Sequence, residues 1–138
     1  MKAVNLTLVY NGQTEAAFNF YKTVFGGDFS NVTRMKDMPS ERPMTDEEKE
    51  KILHMSFPIT GNFALNGMDM PAGRGVANIG TNFMVTLEVS SEEEATEYFN
   101  GLSAGGMVMM PLDHQMWGAF FGMFTDKFNV QWMVSYVK

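Results

Sequence analysis

Trp117-Gly-Ala-Phe-Phe-Gly-Met-Phe124, Thr125-Asp-Lys-Phe-Asn129 and Val130-Gln-Trp-Met-Val-Ser-Tyr-Val137 follow one another near the end of the chain, and their reading decides the fold. Two apolar runs rich in aromatic and β-branched residues flank a polar joint with Asp126 and Asn129 in it, which is a hairpin signal. Trp117, Phe120, Phe121, Phe124, Trp132 and Tyr136 sit on the arms. A hairpin so loaded either covers a large core or lines a cavity.

Working outward, the preceding half of the molecule announces itself twice. Leu6-Thr7-Leu8-Val9-Tyr10 reads as a strand closed by Asn11-Gly12. Thr14 is the expected N-cap of a helix to about Phe25, with Ala17, Phe20, Tyr21, Val24 and Phe25 on one stripe and Gly26-Gly27 as its stop. Residues 28–35 read as a second strand, and Met38 to Lys51 as a solvated loop in which Thr45-x-x-Glu48 caps a short helix. Ile52 to Phe57 and Phe63-Ala-Leu65 are two further strands, and the stretch Asn66 to Gly80, with four glycines and Pro71, is a linker.

The second half repeats this order. Phe83 to Val89 is a strand, Ser91-x-x-Glu94 a capping box, Gly105-Gly106 a helix stop, Met107 to Met110 a strand and Pro111 to Met116 a loop. A shift of 79 places Leu6-Thr7-Leu8 on Val85-Thr86-Leu87, Glu15-Ala16 on Glu94-Ala95, Phe20 on Phe99 and Gly26-Gly27 on Gly105-Gly106. The repeat unit is strand, helix, strand, strand, strand. One unit cannot bury its own sheet, so two are expected side by side, with helices outside and a concave sheet face inside. That concavity is the expected pocket.

Composition narrows the functions. With 138 residues, 45% hydrophobic and 19% charged, the chain suits one soluble globular domain. A net charge of −6 with only ten scattered Lys and Arg argues against nucleic acid. No apolar run is long enough to span a bilayer, and the N-terminus has no apolar signal-peptide core. Cysteine is absent, which removes disulfides and thiolate chemistry; a cytoplasmic location is expected. Fourteen methionines serve either as adaptable core filler or as the lining of a pocket or dimer surface.

The motifs Glu15-Ala-Ala-Phe-Asn-Phe-Tyr21 with Phe25-Gly-Gly27, Met107-Val-Met-Met-Pro-Leu112, Trp117-Gly-Ala-Phe-Phe-Gly122 and Thr125-Asp-Lys-Phe-Asn-Val-Gln-Trp132 together resemble the vicinal oxygen chelate (glyoxalase and bleomycin-resistance) superfamily, in its PhnB-like branch. His54 followed by Phe63-Ala-Leu-Asn-Gly-Met-Asp69 resembles the middle motif of that branch. Asn129 stands where the branch has glycine, and asparagine tolerates the positive φ such a turn requires. The resemblance implies an α+β fold: tandem βαβββ modules, about 1–67 and 81–138, joined by a Gly-rich linker into one domain (1–138) with a curved, cup-like mixed sheet. It also implies a homodimer, in keeping with the prevalence of two-fold pairs. No glycine-rich nucleotide loop follows a strand, so the methyltransferase label used for some members of the branch gains no support.

Metal-dependent members of the superfamily hold a divalent ion with His and Glu from both modules, the first and last strand of each supplying one ligand. Residues 3–10 and 82–87 contain no His, Asp or Glu, and the glutamate stations fall on Met133 and about Asn66. An amide and a thioether are poor ligands for a hard ion, so neither a metal nor another cofactor is expected. His54 is the best catalytic candidate, as a general base or ligand hydrogen-bonder, against a structural histidine bonded to a neighbour. Ser56, Asn66 and Met133 are expected to line the ligand site with it. Trp117 and Phe121 are expected to share one strand face, packing in the core or stacking on a flat ligand. Asp113 and His114 read as loop residues rather than a dyad, and Asp69 as a turn residue. The expected function is metal-free small-molecule binding; the alternative is a drifted lyase, isomerase or dioxygenase of the superfamily using His54, with or without a divalent ion.

Overall fold

A computed structural model describes residues 1–138, which divide into two compact units, Met1–Asn78 and Ile79–Lys138. Unit 1 runs β1 (Leu6–Tyr10), α1 (Thr14–Phe25), β2 (Asn31–Arg34), a 3-10 turn at Met35–Asp37, α2 (Asp46–Glu50), β3 (Ile52–Thr60) and β4 (Phe63–Asp69). Unit 2 runs β5 (Val85–Glu88), α3 (Glu92–Ser103), β6 (Met107–His114), β7 (Phe120–Thr125) and β8 (Gln131–Tyr136). Each holds a four-stranded mixed sheet, ordered β1-β4-β3-β2 and β5-β8-β7-β6, so the architecture is the α+β pair of βαβββ units.

The two sheets share one register. In unit 1 the parallel pair sets Leu6 against Leu65, Thr7 against Asn66 and Leu8 against Gly67. In unit 2 Val85 lies against Trp132, Thr86 against Met133 and Leu87 against Val134. The first strands, β1 and β5, therefore obey the shift of 79, while their partners β4 and β8 are offset by 67 (Leu65 to Trp132), because the connections in unit 2 are shorter. The helices do not obey the shift either: the N-caps are Gln13 and Ser91, 78 apart, and buried Ala17 and Tyr21 correspond to buried Ala95 and Phe99. Phe20, matched to Phe99 by identity, is only half-buried.

The reason lies in how closely α1 approaches its sheet. The face of α1 against the sheet carries Thr14, Ala17, Phe18 and Tyr21, one residue displaced from the expected stripe. A Cβ on Gly67 would sit 2.7 Å from the Phe18 ring and 2.8 Å from Thr14 Cγ2. Gly67 thus opens the space that Phe18 fills. Gly122 does the same in unit 2, where a Cβ would meet the Phe99 ring at 2.6 Å. Around these contacts Leu8, Met55, Phe57 and Leu65 close one core, and Leu102, Phe124, Trp132 and Val134 the other.

Several local expectations change. Thr14 is the first residue of α1 rather than its N-cap, and its hydroxyl donates to Asp69 Oδ1 at 2.7 Å. Asp69 is no turn residue: β4 continues through Asn66 to Asp69, whose buried carboxylate also accepts from Thr14 N (3.1 Å) and Ile52 N (2.8 Å). A carboxylate there satisfies the first orphan N–H of α1 and complements the positive end of the helix. Ser91 Oγ accepts from Glu94 N as expected, while Glu94 Oε1 accepts from Ser90 N rather than closing the box on Ser91. The segment from Pro111 to His114 is strand, not loop.

The terminal hairpin forms around the joint. Asp126 Oδ1 accepts from Phe128 N and Val130 N, and Asn129 takes φ 69°. Its first arm starts at Phe120, so Trp117 lies outside the strand, 66% exposed, and is not core. Of the fourteen methionines only Met55 is buried, so core filling is not their main use. No helix is long and apolar enough to cross a membrane.

Candidate functional site

Cross-strand partners point to the same side of a sheet, so the registers assign each residue a face. In unit 1 the row Val32, Met55, Gly67, Leu8 lies on the side of α1. The next row, Asn31, Ser56, Asn66, Thr7, crosses all four strands on the opposite side. It is polar at every station. His54, paired with Thr33, lies beside it on that face. The structure therefore brings together His54, Ser56 and Asn66, all half-buried, and adds Asn31 and Thr7, which the sequence reading left out. Their signal was the alternation of β2 and β1, legible only once the register was known.

His54 is anchored on one side. Asn31 Nδ2 is 2.9 Å from His54 Nδ1 and 3.5 Å from the His54 carbonyl oxygen, while Thr33 Oγ1 donates to Asn31 Oδ1. The amide nitrogen facing the His54 carbonyl oxygen and the amide oxygen facing the Thr33 hydroxyl set the orientation of Asn31. An amide N–H₂ only donates, so Nδ1 accepts and the ring proton of neutral His54 resides on Nε2. The structural role foreseen as one option for His54 is thus present, and Nε2–H remains without a protein acceptor. The side chains of Ser56, Asn66 and Thr7 have no intramolecular hydrogen bond either. They form an open set of neutral donors and acceptors.

Unit 2 fills the matching row differently. Thr86 pairs with Met133, Met133 with Met123 and Met123 with Met110. Where unit 1 carries asparagine, serine and asparagine beside the threonine, unit 2 carries three thioethers. One row along, Phe121 pairs with Ser135 and Asp113, and Trp117 meets the Phe121 ring edge-on at 5.8 Å. Trp117, Phe121 and Met133 therefore gather in unit 2, with Trp117 presented to solvent rather than packed.

His114 belongs to a separate feature. Its Nε2 lies 3.4 Å from Glu92 Oε1, its ring tilts over Phe120 at 4.8 Å, and Asp113 Oδ1 accepts from the backbone N–H of His114 instead of its ring. Glu92, His114, Gly118, Phe120, Tyr136 and Lys138 line a shallow pocket of about 220 Å³. No base–nucleophile pair is formed there.

A divalent ion of the kind used by metal-dependent glyoxalases does not fit the donors present. Thr7 and Asn66 occupy the paired stations of the first and last strand in unit 1, and Thr86 and Met133 those in unit 2. No three His, Asp or Glu side chains converge. Hydroxyl, amide and thioether groups lack the charge a hard ion requires in place of its water.

On the other side of the sheet Arg34 ties three elements together. Its guanidinium binds both carboxylate oxygens of Glu15 on α1 and donates to the Glu50 carbonyl at 2.9 Å. The hydrogen bond to Glu15 pushes the Arg34 pKa further up, against a smaller opposing effect of burial. Arg34 is therefore committed to structure and carries no charge to the polar row.

Comparison with known proteins accords with this geometry. Residues 3–134 match the Glyoxalase/Bleomycin resistance protein/Dioxygenase superfamily. The solved structure of protein PA1353 from Pseudomonas aeruginosa is 34% identical with a TM-score of 0.86, over 99% of this chain and 98% of that one. Protein YjdN of Escherichia coli (strain K12) is 26% identical over 139 residues, covering 95% of this chain and 92% of YjdN. A PhnB protein from Bacillus cereus, 22% identical, has the same fold with a TM-score of 0.73 over 99% of this chain and the whole (100%) of that one. This chain belongs to the Glyoxalase/Bleomycin resistance protein/Dioxygenase superfamily.

Proposed function

We propose that the chain is a small-molecule-binding protein that works without the catalytic divalent metal of its superfamily. The observation carrying this is the row Thr7, Asn66, Ser56, Asn31, beside which His54 holds out an Nε2–H. Polar side chains left without partners on a partly covered face are costly unless water or a ligand bonds them. The row is uncharged throughout, so it suits a neutral ligand rich in carbonyl or hydroxyl oxygen, with His54 donating to an acceptor. A general base at His54 would need a lone pair on Nε2, which this tautomer does not offer; binding is therefore favoured over the drifted-enzyme reading.

A thermal-shift and calorimetric screen of neutral oxygenated compounds tests the proposal. Binding weakened by Ser56→Ala and Asn66→Ala, with folding intact, is the expected result. Elemental analysis showing a stoichiometric divalent ion in purified protein, or hits unaffected by both substitutions, would overturn it. The same reading takes the protein as a homodimer, since two-fold pairs dominate soluble oligomers. Light scattering that returns the monomer mass at micromolar concentration would remove that part.

A further inference from the structure

We propose that the sheet of unit 2 carries a thioether site for a soft monovalent cation, Cu(I) or its analogue Ag(I), built from Met109, Met110, Met123 and Met133. Direct pairing places Met110, Met123 and Met133 side by side on three adjacent strands. Neighbouring Cβ atoms in such a row lie about 4.5–5.5 Å apart, within reach of one ion above the central residue once the flexible outer side chains lean inward.

The fourth ligand comes from an irregularity. The register shifts between Val108 and Met110, so Met109 and Met110 together oppose Met123. A bulge of this kind re-aims the extra side chain. Thr125 Oγ1, two residues from Met123 and so on the same face, lies 3.8 Å from Met109 Sδ. Met109 thus faces the row instead of α3.

Access and chemistry fit. Met123 and Met133 are half-buried, while Met109 and Met110 are 40% and 36% exposed, which leaves an ion a route in. No imidazole interrupts the row. Glu88, paired with Ser135 one row along, puts a carboxylate on the same face to balance the charge. Thioethers bind Cu(I) and Ag(I) and are poor ligands for zinc, magnesium or calcium. The site is independent of the polar row in unit 1 and survives if no organic ligand binds there.

The full chain labelled with ¹³C at the methionine methyl groups, titrated with silver nitrate, tests this. Methyl signals of Met109, Met110, Met123 and Met133 should move together and saturate near about one equivalent, ahead of exposed Met38 and Met116. Leucine conserves methionine volume, so Met123→Leu/Met133→Leu should melt like the parent yet lose about tenfold or more in Ag(I) affinity. Anaerobic Cu(I) competition with a bicinchoninate chelator should show the same loss. Met116 responding in parallel with the row, unchanged affinity in the double variant, or equal capture of Zn(II) would each overturn the assignment.

Discussion

Trp132 Nε1 donates to Asp126 Oδ2 at 2.9 Å, and both residues are buried, at 0% and 2% exposure. The same carboxylate holds the turn through Phe128 N and Val130 N, so one side chain joins the hairpin's loop to the centre of its core. Asp126→Ala removes the carboxylate that accepts from the indole and from two backbone N–H groups, and losing a hydrogen bond to a buried donor costs about 1–3 kcal/mol. The expected loss is about 3 kcal/mol or more in urea unfolding. Trp132→Phe should cost about as much, because it vacates core volume and removes the indole donor from Asp126 Oδ2, leaving the carboxylate only its backbone donors. A loss under about 1 kcal/mol for either would show that the bond does not hold the hairpin.

Asn129 carries the only positive φ outside glycine, at 69°. Alanine there pays the full steric cost of the left-handed region, so Asn129→Ala should lower stability by about 1–2 kcal/mol. Asn129→Gly should be neutral or mildly stabilising. Equal melting temperatures for the alanine and glycine variants would contradict the turn geometry.

Asp69 plays the corresponding part in unit 1, accepting from Thr14 and Ile52. Asp69→Asn keeps the shape but turns an N–H₂ toward a donor. It should cost about 2 kcal/mol, and Asp69→Ala more. Hydrogen exchange provides the check: the amides of Thr14 and Ile52 should lose protection in both variants before the rest of unit 1.

How much of this was legible follows from the range of each interaction. The terminal hairpin and the doubled strand–helix order were readable because their signals are local periodicities, and the shift found on the first strands holds between β1 and β5 in the register. The helix stripe was misread because Ala17, Phe20 and Tyr21 satisfy a helical spacing as well as Ala17, Phe18 and Tyr21 do. The missing side chain of Gly67 decides between them, and that is a tertiary fact. Asp69 sits among glycine, methionine and proline, so its neighbours suggested a turn; its donors lie 55 and 17 residues away. The polar row of the candidate site needed the register of four strands, and no single stretch contains it.

Glu50 gives the chain an acid-sensitive contact. A hydrogen bond from the Lys36 ammonium at 2.8 Å, with its charge and that of Arg34, holds the Glu50 carboxyl below the ordinary value of 4.5. A carboxyl depressed on folding stabilises the native state above its unfolded pKa, and that contribution disappears as pH falls through the folded value. Melting temperature should therefore drop below about pH 4.5, and Glu50→Gln should lower neutral stability by the small amount an exposed pair contributes and flatten the acid decline by that same amount, so that parent and variant converge in acid. Identical acid limbs for parent and variant would refute the linkage.

The tautomer of His54 decides what kind of ligand the polar row can take. With Asn31 donating to Nδ1, nitrogen-detected NMR of neutral His54 should show Nδ1 bare and the proton on Nε2. Asn31→Asp replaces the donor by an acceptor and should move the proton to Nδ1. A ligand bound through a carbonyl or ether oxygen should then lose affinity in Asn31→Asp, because Nε2 becomes a lone pair facing an oxygen. His54→Phe should weaken the same ligand while sparing the fold. If the parent protein already carries its proton on Nδ1, the amide is turned the other way and Nε2 becomes an acceptor. The face would then suit hydroxyl or amine donors, and a general base at His54 would become the better reading.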